Sequence, residues 1–425
     1  MRRNLLTIVG AATAIAAVGL ALSLTGTSSP TAAATAATGN SQAGPRPVAT
    51  TQGPILASDR NGKVLAIDAT GGRVLSRAHS GVLSSGGSLI YAHNGRKISV
   101  TKRATGRVIA GVAAPPGMEL EVASASGRLL AFGPPSSGSE WRPDGRAKTT
   151  IRVVAIGGKE RVRSYELAGN FAVEAFSTDD RQLFLLEYMP SKAPWHYGLR
   201  RLNLDTGKIR EIARGKQNAP GEMNGTGRLA VSAPSGQELY TLYTQQGFNY
   251  THVDPEHAKP EEVYAFVHLL NLEGAWTHCI DLPAPFGTGT ATAHAMVISD
   301  DGSRLFVADP SSGGLAVIDP ADQRVLRSVT TDLRTMRAGV SADVSVNGDL
   351  YLAGKDRVLV FDGDSLRLKD DFRPTSRISG IATSADGSSL FLGTRRGLLE
   401  VDAETGARLR AIPIPGARRL SVLPG

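Results

Sequence analysis

The sequence predicts an all-β protein built from eight short repeats of four strands each. Three observations carry the prediction. The 425 residues include 48 Gly and 23 Pro, so the chain turns often and long helices do not dominate. Beyond residue 53 helical periodicity is nearly absent, and short apolar runs are punctuated by Gly and Asp turns. One unit recurs along the whole of 53–425, with variable spacing between copies.

The clearest copy has a turn at Ser299-Asp300-Asp301-Gly302, then Leu305-Phe306-Val307-Ala308, Leu315-Ala316-Val317-Ile318-Asp319 and Arg324-Val325-Leu326-Arg327-Ser328-Val329. A second reads Ser384-Ala385-Asp386-Gly387, Leu390-Phe391-Leu392-Gly393, Leu398-Leu399-Glu400-Val401-Asp402 and Glu404-Thr405-Gly406. A further strand precedes each turn, at Ala295-Met296-Val297-Ile298 and Gly380-Ile381-Ala382-Thr383, which completes the four-stranded blade of a β-propeller. Second strands begin at Ile55, Leu89, Leu129, Leu183, Leu239, Leu305, Leu350 and Leu390. The count is eight blades, or seven if one long unit has been split in two. The first unit lacks a first strand, and the chain ends in an orphan one, Arg418 to Val422. Pairing the two ends closes the ring and removes exposed sheet edges. Gly302 and Gly387 are expected to serve left-handed turns, and Asp319 and Asp402 to cap turns rather than bind metal.

Residues 1–24 read as an address label. Arg2 and Arg3 precede an apolar run from Leu5 to Leu24, so the chain is expected to be exported. The run is long enough for a membrane-spanning helix, and small residues at Ala32, Ala34 and Ala37 offer cleavage sites; secretion and single-pass anchoring both fit. Arg2-Arg3-Asn4-Leu5-Leu6 lacks the serine that precedes the pair in a twin-arginine signal. Residues 25–52 are Ala, Thr, Ser, Gly and Pro with Arg46 the one charge, a composition expected to give a disordered linker.

Composition excludes several functions. The net charge of +8 is modest, and no Lys/Arg run interleaved with aromatics appears, so nucleic acid is not an expected partner. Cys279 is the one cysteine; it permits no intramolecular disulfide and no multi-cysteine metal site, and is expected to be a buried inert thiol. No phosphate loop, nucleophile elbow, His-Glu-x-x-His or Asp-rich calcium loop is present. No cofactor and no metal are expected.

The Ser-Asp-Asp-Gly, Leu-Phe-Val-Ala and Leu-Ala-Val-Ile-Asp pattern resembles the YVTN-type repeats of the WD-repeat-like and quinoprotein-like bacterial propellers. The resemblance covers 53–425 and implies blades rather than chemistry. Lys63 to Leu75 also resembles the quinoprotein dehydrogenase repeat. It departs from that family where function would lie: Leu75 to Arg77 holds no docking tryptophan, and there is no vicinal cysteine pair for a quinone. Glu262 to Phe266 faintly resembles a stretch of the amine dehydrogenase heavy chain.

Second-strand starts are 34 and 40 residues apart at first, then 54, 56 and 66, then 45 and 40. Three consecutive blades, the third to fifth, are therefore oversized. Their extra residues fall between second and third strands, at 133–148, 189–197 and 245–262, and such loops share one face of a propeller. Trp141, Trp195, His196, Tyr197, Phe248, Tyr250, His252 and His257 sit there. A rigid scaffold carrying aromatic loops predicts a binding rim for a protein, glycan or small molecule. The alternative is that the loops bury their own rings. His252 and His257, with Asp254 and Glu256 between them, have a spacing that a metal pair also shows, but such spacing arises by chance in Pro-rich loops. The residues leading into first strands face the channel mouth. His294 lies eight positions before Gly302 and Glu119 eight before Gly127, with Glu121, Glu174, Arg337, Arg377 and Arg418 near the equivalent place. The position of His294 resembles that in propeller lactonases, which implies an alternative hydrolase function through His294, Glu119 and Glu174. A redox dehydrogenase subunit is a weaker alternative. The reading favoured is a monomeric binding propeller, secreted or anchored through residues 5–24.

Overall fold

The computed structural model describes residues 55–422 apart from 59–63, 70, 79, 85–88, 103–104, 136–137, 140–141, 158–161, 215–222, 225–226, 246–261, 289–292, 334–335, 337–339 and 415–417. The apolar segment 1–24 and the linker 25–52 lie outside these residues. Eight blade sheets follow one another along the chain, each with four antiparallel strands; blade five adds the short strand Ala213–Arg214, which runs parallel to its outer strand Trp276–Asp281. The strands called here blade one are Arg418–Val422, Ile55–Ser58, Val64–Ile67 and Val74–Ala78. The C-terminal strand thus supplies the first strand of the first blade, with Val422 opposite Ile55 and Leu420 opposite Ala57. The ring closes as the sequence predicts, and the count is eight.

Burial falls from the inner strands outward, most clearly in blade six. Second and third strands are sandwiched by the neighbouring blades on both faces and read as continuous apolar runs; all five residues of Leu305–Asp309 are buried. Fourth strands lie at the outside, where Arg324–Thr330 shows no buried residue. The core is therefore distributed between blades. Ile55, Ile67 and Leu420 of blade one pack on Phe391 and Ile412 of blade eight, and Phe306 and Leu315 of blade six pack on Leu352 and Phe361 of blade seven. Each junction buries the apolar area that a lone four-stranded sheet would leave wet.

The turn residues behave as their chemistry dictates. Gly302 and Gly387 have φ of 74° and 71°, a region that glycine enters without a Cβ clash. Asp319 accepts the backbone N–H groups of Ala321 and Asp322, and Asp402 those of Glu404 and Thr405, so both carboxylates cap turns. Tight turns between first and second strands leave one face flat. The opposite face carries every loop between second and third strands and every crossing to the next blade.

Candidate functional site

The insertions of blades three and four meet on that second face. Blade three inserts 134–147 between Leu129–Gly133 and Lys148–Ala155, including a short hairpin of Gly138–Ser139 with Arg142–Pro143. Blade four inserts 190–195 between Gln182–Met189 and His196–Asn203. The Arg146 N–H donates to the Ser191 carbonyl at 2.7 Å. Asn170, buried at the start of the first strand of blade four, donates through Nδ2 to the carbonyls of Asp144 at 3.0 Å and Ser191 at 3.4 Å. A Cβ on Gly145 would stand 1.9 Å from the Lys192 carbonyl oxygen, so the approach requires glycine. The two loops form one surface because their backbones are tied, not because they are merely adjacent.

The predicted binding residues separate into buried and exposed sets. Tyr197 is 6% exposed. It exchanges backbone hydrogen bonds with Met223 at 2.8 and 2.7 Å and donates its hydroxyl to the Asn224 carbonyl at 3.2 Å. Its ring belongs to a column at the junction of blades four and five: Tyr188 at 5.9 Å, Tyr243 at 5.5 Å, then Phe266 at 5.4 Å from Tyr243. Edge-to-face and offset contacts at these distances add to area burial. Trp195 is 44% exposed and is the single exposed aromatic residue among those described. Its ring meets that of half-buried His196 at 4.0 Å, and its backbone N–H donates to the Met189 carbonyl at 2.9 Å. Trp141, Phe248, Tyr250, His252 and His257 lie outside the described residues.

His294, which leads into the first strand of blade six, is buried, and so is the partner that it faces. Its Nε2 lies 3.1 Å from Oδ2 of Asp309, the last residue of the second strand of blade six, and both side chains are sealed from solvent. Asp309 also accepts the backbone N–H groups of Gly287 at 3.0 Å, Ser311 at 2.9 Å and Ser312 at 3.3 Å. Burial alone would raise this carboxyl, but the His294 charge and hydrogen bond and the backbone donors hold it below its ordinary value. The group therefore ties the crossing from blade five, the start of blade six and its next turn into one unit. Glu119 begins the first strand of blade three and is half-buried. Glu174, buried on the first strand of blade four, occupies a β-bulge between Val173 and Ala175. Glu121 and Ser379 fall at equivalent bulges of blades three and eight, so an extra residue recurs where these strands turn their side chains. The three hydrolase candidates thus sit on blades three, four and six.

Cys279 is buried and its thiol is pushed up to about 12 by burial and by Asp281, which leaves it protonated and unreactive at neutral pH. His268 faces it across the strand pair, and burial pushes that imidazole down to about 4. Among the described residues no group of three or more His, Cys, Asp or Glu is arranged to hold a metal ion, and no described helix is long and apolar enough to cross a membrane.

No family model matches the chain, and no curated protein matches it by sequence. Solved structures do. Apo AztD from Citrobacter koseri is similar at 12% identity with a TM-score of 0.55, the match covering 88% of this chain and 98% of that one. The dihydro-heme d1 dehydrogenase NirN, solved in complex with DHE, is similar at 14% identity with a TM-score of 0.52, covering 88% of this chain and 76% of that one. The fold is a β-propeller. At such identities the likeness concerns the fold alone.

Asn170 and Asp309 are the organising polar residues that sequence reasoning missed. Asp309 had a local signal, since Asp-Pro-Ser-Ser-Gly is a turn sequence. Asn170 had none, because its acceptors lie 26 and 21 residues away.

Proposed function

We propose that this chain is an exported binding propeller of the YVTN type, secreted or held at the membrane through residues 5–24, that recognises a partner on the rim built by blades three to five. The observation that carries the reading is the tied pair of insertions with Trp195 exposed beside them. A buried Asn170 and a glycine-only approach are spent on holding two surface loops in one arrangement, and an indole is left in water at the edge. Ordered loops with an exposed aromatic anchor are what recognition uses, since little ordering entropy then remains to be lost on binding. The partner is a protein, a glycan or a small molecule. Hydrolysis through His294, Glu119 and Glu174 draws less support, because the His294 imidazole faces a sealed carboxylate rather than solvent.

The test places a photo-crosslinking residue at position 195, and separately at Leu409 on an outer strand, in the full chain expressed in its native host. A discrete adduct at 195, absent at 409 and competed away by excess unlabelled protein, is the expected result. Identical adducts from both positions would sink the rim as the binding surface.

A further inference from the structure

We propose that the loop face over blades seven and eight docks a phosphate-bearing polyanion, at a surface separate from the rim of blades three to five. Ile378, the first residue of blade eight, pairs with Thr394 on one side and bridges to Lys355 of blade seven on the other. Lys355, Arg377 and Arg395 therefore lie within one residue of this pairing level, in the blade-seven turn, the crossing and the blade-eight turn. Arg396 follows Arg395 in the same turn, and Arg373 lies on the crossing that leads to Arg377. All five side chains are exposed.

The charge of Arg377, Arg395 and Arg396 is not spent in ion pairs among the described residues. The carboxylates closest in the fold are drawn to Arg357, which holds Asp371 through two hydrogen bonds of 2.8 Å and lies 4.0 Å from Asp332. Asp356 is the exposed acid within the blade-seven turn, and Asp371 also feels Arg373. Among the described residues no ion pair engages Arg377, Arg395 or Arg396. Grouping like charges on one face carries a repulsive cost unless an anion offsets it. Guanidinium forks match phosphate oxygens in pairs, and arginine outnumbers lysine here by four to one. The cations come from two turns and the crossing between them, spread over the loop face, so they fit a chain of repeated charges better than one small anion. The anion is a polymer rather than a lipid surface, because among the described residues no exposed large apolar side chain accompanies these cations to enter a bilayer.

The probe is long-chain inorganic polyphosphate, with its affinity for the full chain measured from low to high salt. Expected is salt-sensitive binding that falls at least tenfold in an Arg377→Gln, Arg395→Gln, Arg396→Gln triple variant. With about 0.7 of log-log salt slope per phosphate contact, that variant's slope should be shallower by about 2. A control triple, Arg210→Gln, Arg327→Gln, Arg408→Gln, removes the same charge from exposed outer strands and should retain binding. The proposal is overturned if polyphosphate does not bind, if both triples weaken it equally, if polyglutamate binds as tightly, or if anionic phospholipid vesicles are preferred. Trp195→Ala should leave this binding unchanged, so the surface and the rim can fail separately.

Discussion

Blades three to five and blades six to eight are built from one four-stranded unit and packed through one kind of junction, yet they finish their loop face in opposite ways. In blades three and four, second and third strands are separated by insertions long enough to form a hairpin and to tie to one another. In the second set, the same step is made by the four residues Pro310 to Gly313, by Lys355-Asp356 and by Arg395 to Gly397, turns too short to carry an insertion. The difference teaches that loop length and core are independent variables in this ring. The junctions carry the fold, and the face is free to become an ordered aromatic rim on one side and a row of exposed cations on the other.

The largest test of that independence is a matched pair of core truncations. Tyr243→Ala removes a 1%-exposed ring from the junction of blades four and five, and Phe361→Ala removes a fully buried ring from that of blades six and seven. Each should cost about 3–5 kcal/mol by urea unfolding, the usual range for emptying a buried aromatic site. A cost below about 1 kcal/mol at position 243 alone would mean that the long loops, not the junction, hold the enlarged half.

The blades were legible in the sequence because their determinants are local. A turn glycine, an Asp cap and a run of apolar residues all lie within a few positions, and second-strand starts were placed within one residue in every blade. Ring closure was legible because Ile55 lacked a preceding strand and Arg418 to Val422 lacked a following one. The rim was legible as excess length, but its exposure was not. Tyr197 and Trp195 are two residues apart, yet one is sealed in an aromatic column and the other faces water, and only Met223 and Tyr243, far along the chain, decide which. His294 was legible as a residue leading into a first strand, whereas its tie to Asp309 depends on how one turn folds back.

Acidification should separate the two halves in opposite directions. His268 in blade five is buried and titrates at about 4 in the folded protein against an ordinary 6.5. Between those values the unfolded chain binds the proton first, so stability falls as pH drops, by about 3 kcal/mol at pH 4. Asp343 in blade seven behaves in reverse. Burial, with Asp300 nearby, pushes its carboxyl to about 6 despite hydrogen bonds donated by the Thr383 N–H at 2.7 Å and hydroxyl at 3.0 Å. From pH 6 to 4 the folded protein takes this proton first and gains stability, on the order of 1–2 kcal/mol for a half-buried group. Urea unfolding at pH 7 and pH 4 should therefore show a smaller acid loss in His268→Gln and a larger one in Asp343→Asn. Equal acid losses in both variants and the unaltered protein would mean that neither group distinguishes the halves.

The smallest effect is expected where the comparison is sharpest. Trp195 stands at the edge of the tied insertions with its ring against His196, and its backbone N–H holds the Met189 carbonyl whatever side chain it carries. Trp195→Ala should therefore change unfolding free energy by less than about 0.5 kcal/mol, as surface substitutions away from caps and buried networks do. The conserved quantity is the loop's arrangement, which rests on Asn170 and Gly145 and not on the indole. A loss of 2 kcal/mol or more would instead make the indole part of the packing. The enlarged half would then be a set of loops that bury their own rings, as Tyr197 does, and the exposed row of cations would be left as the face on which this propeller meets a partner.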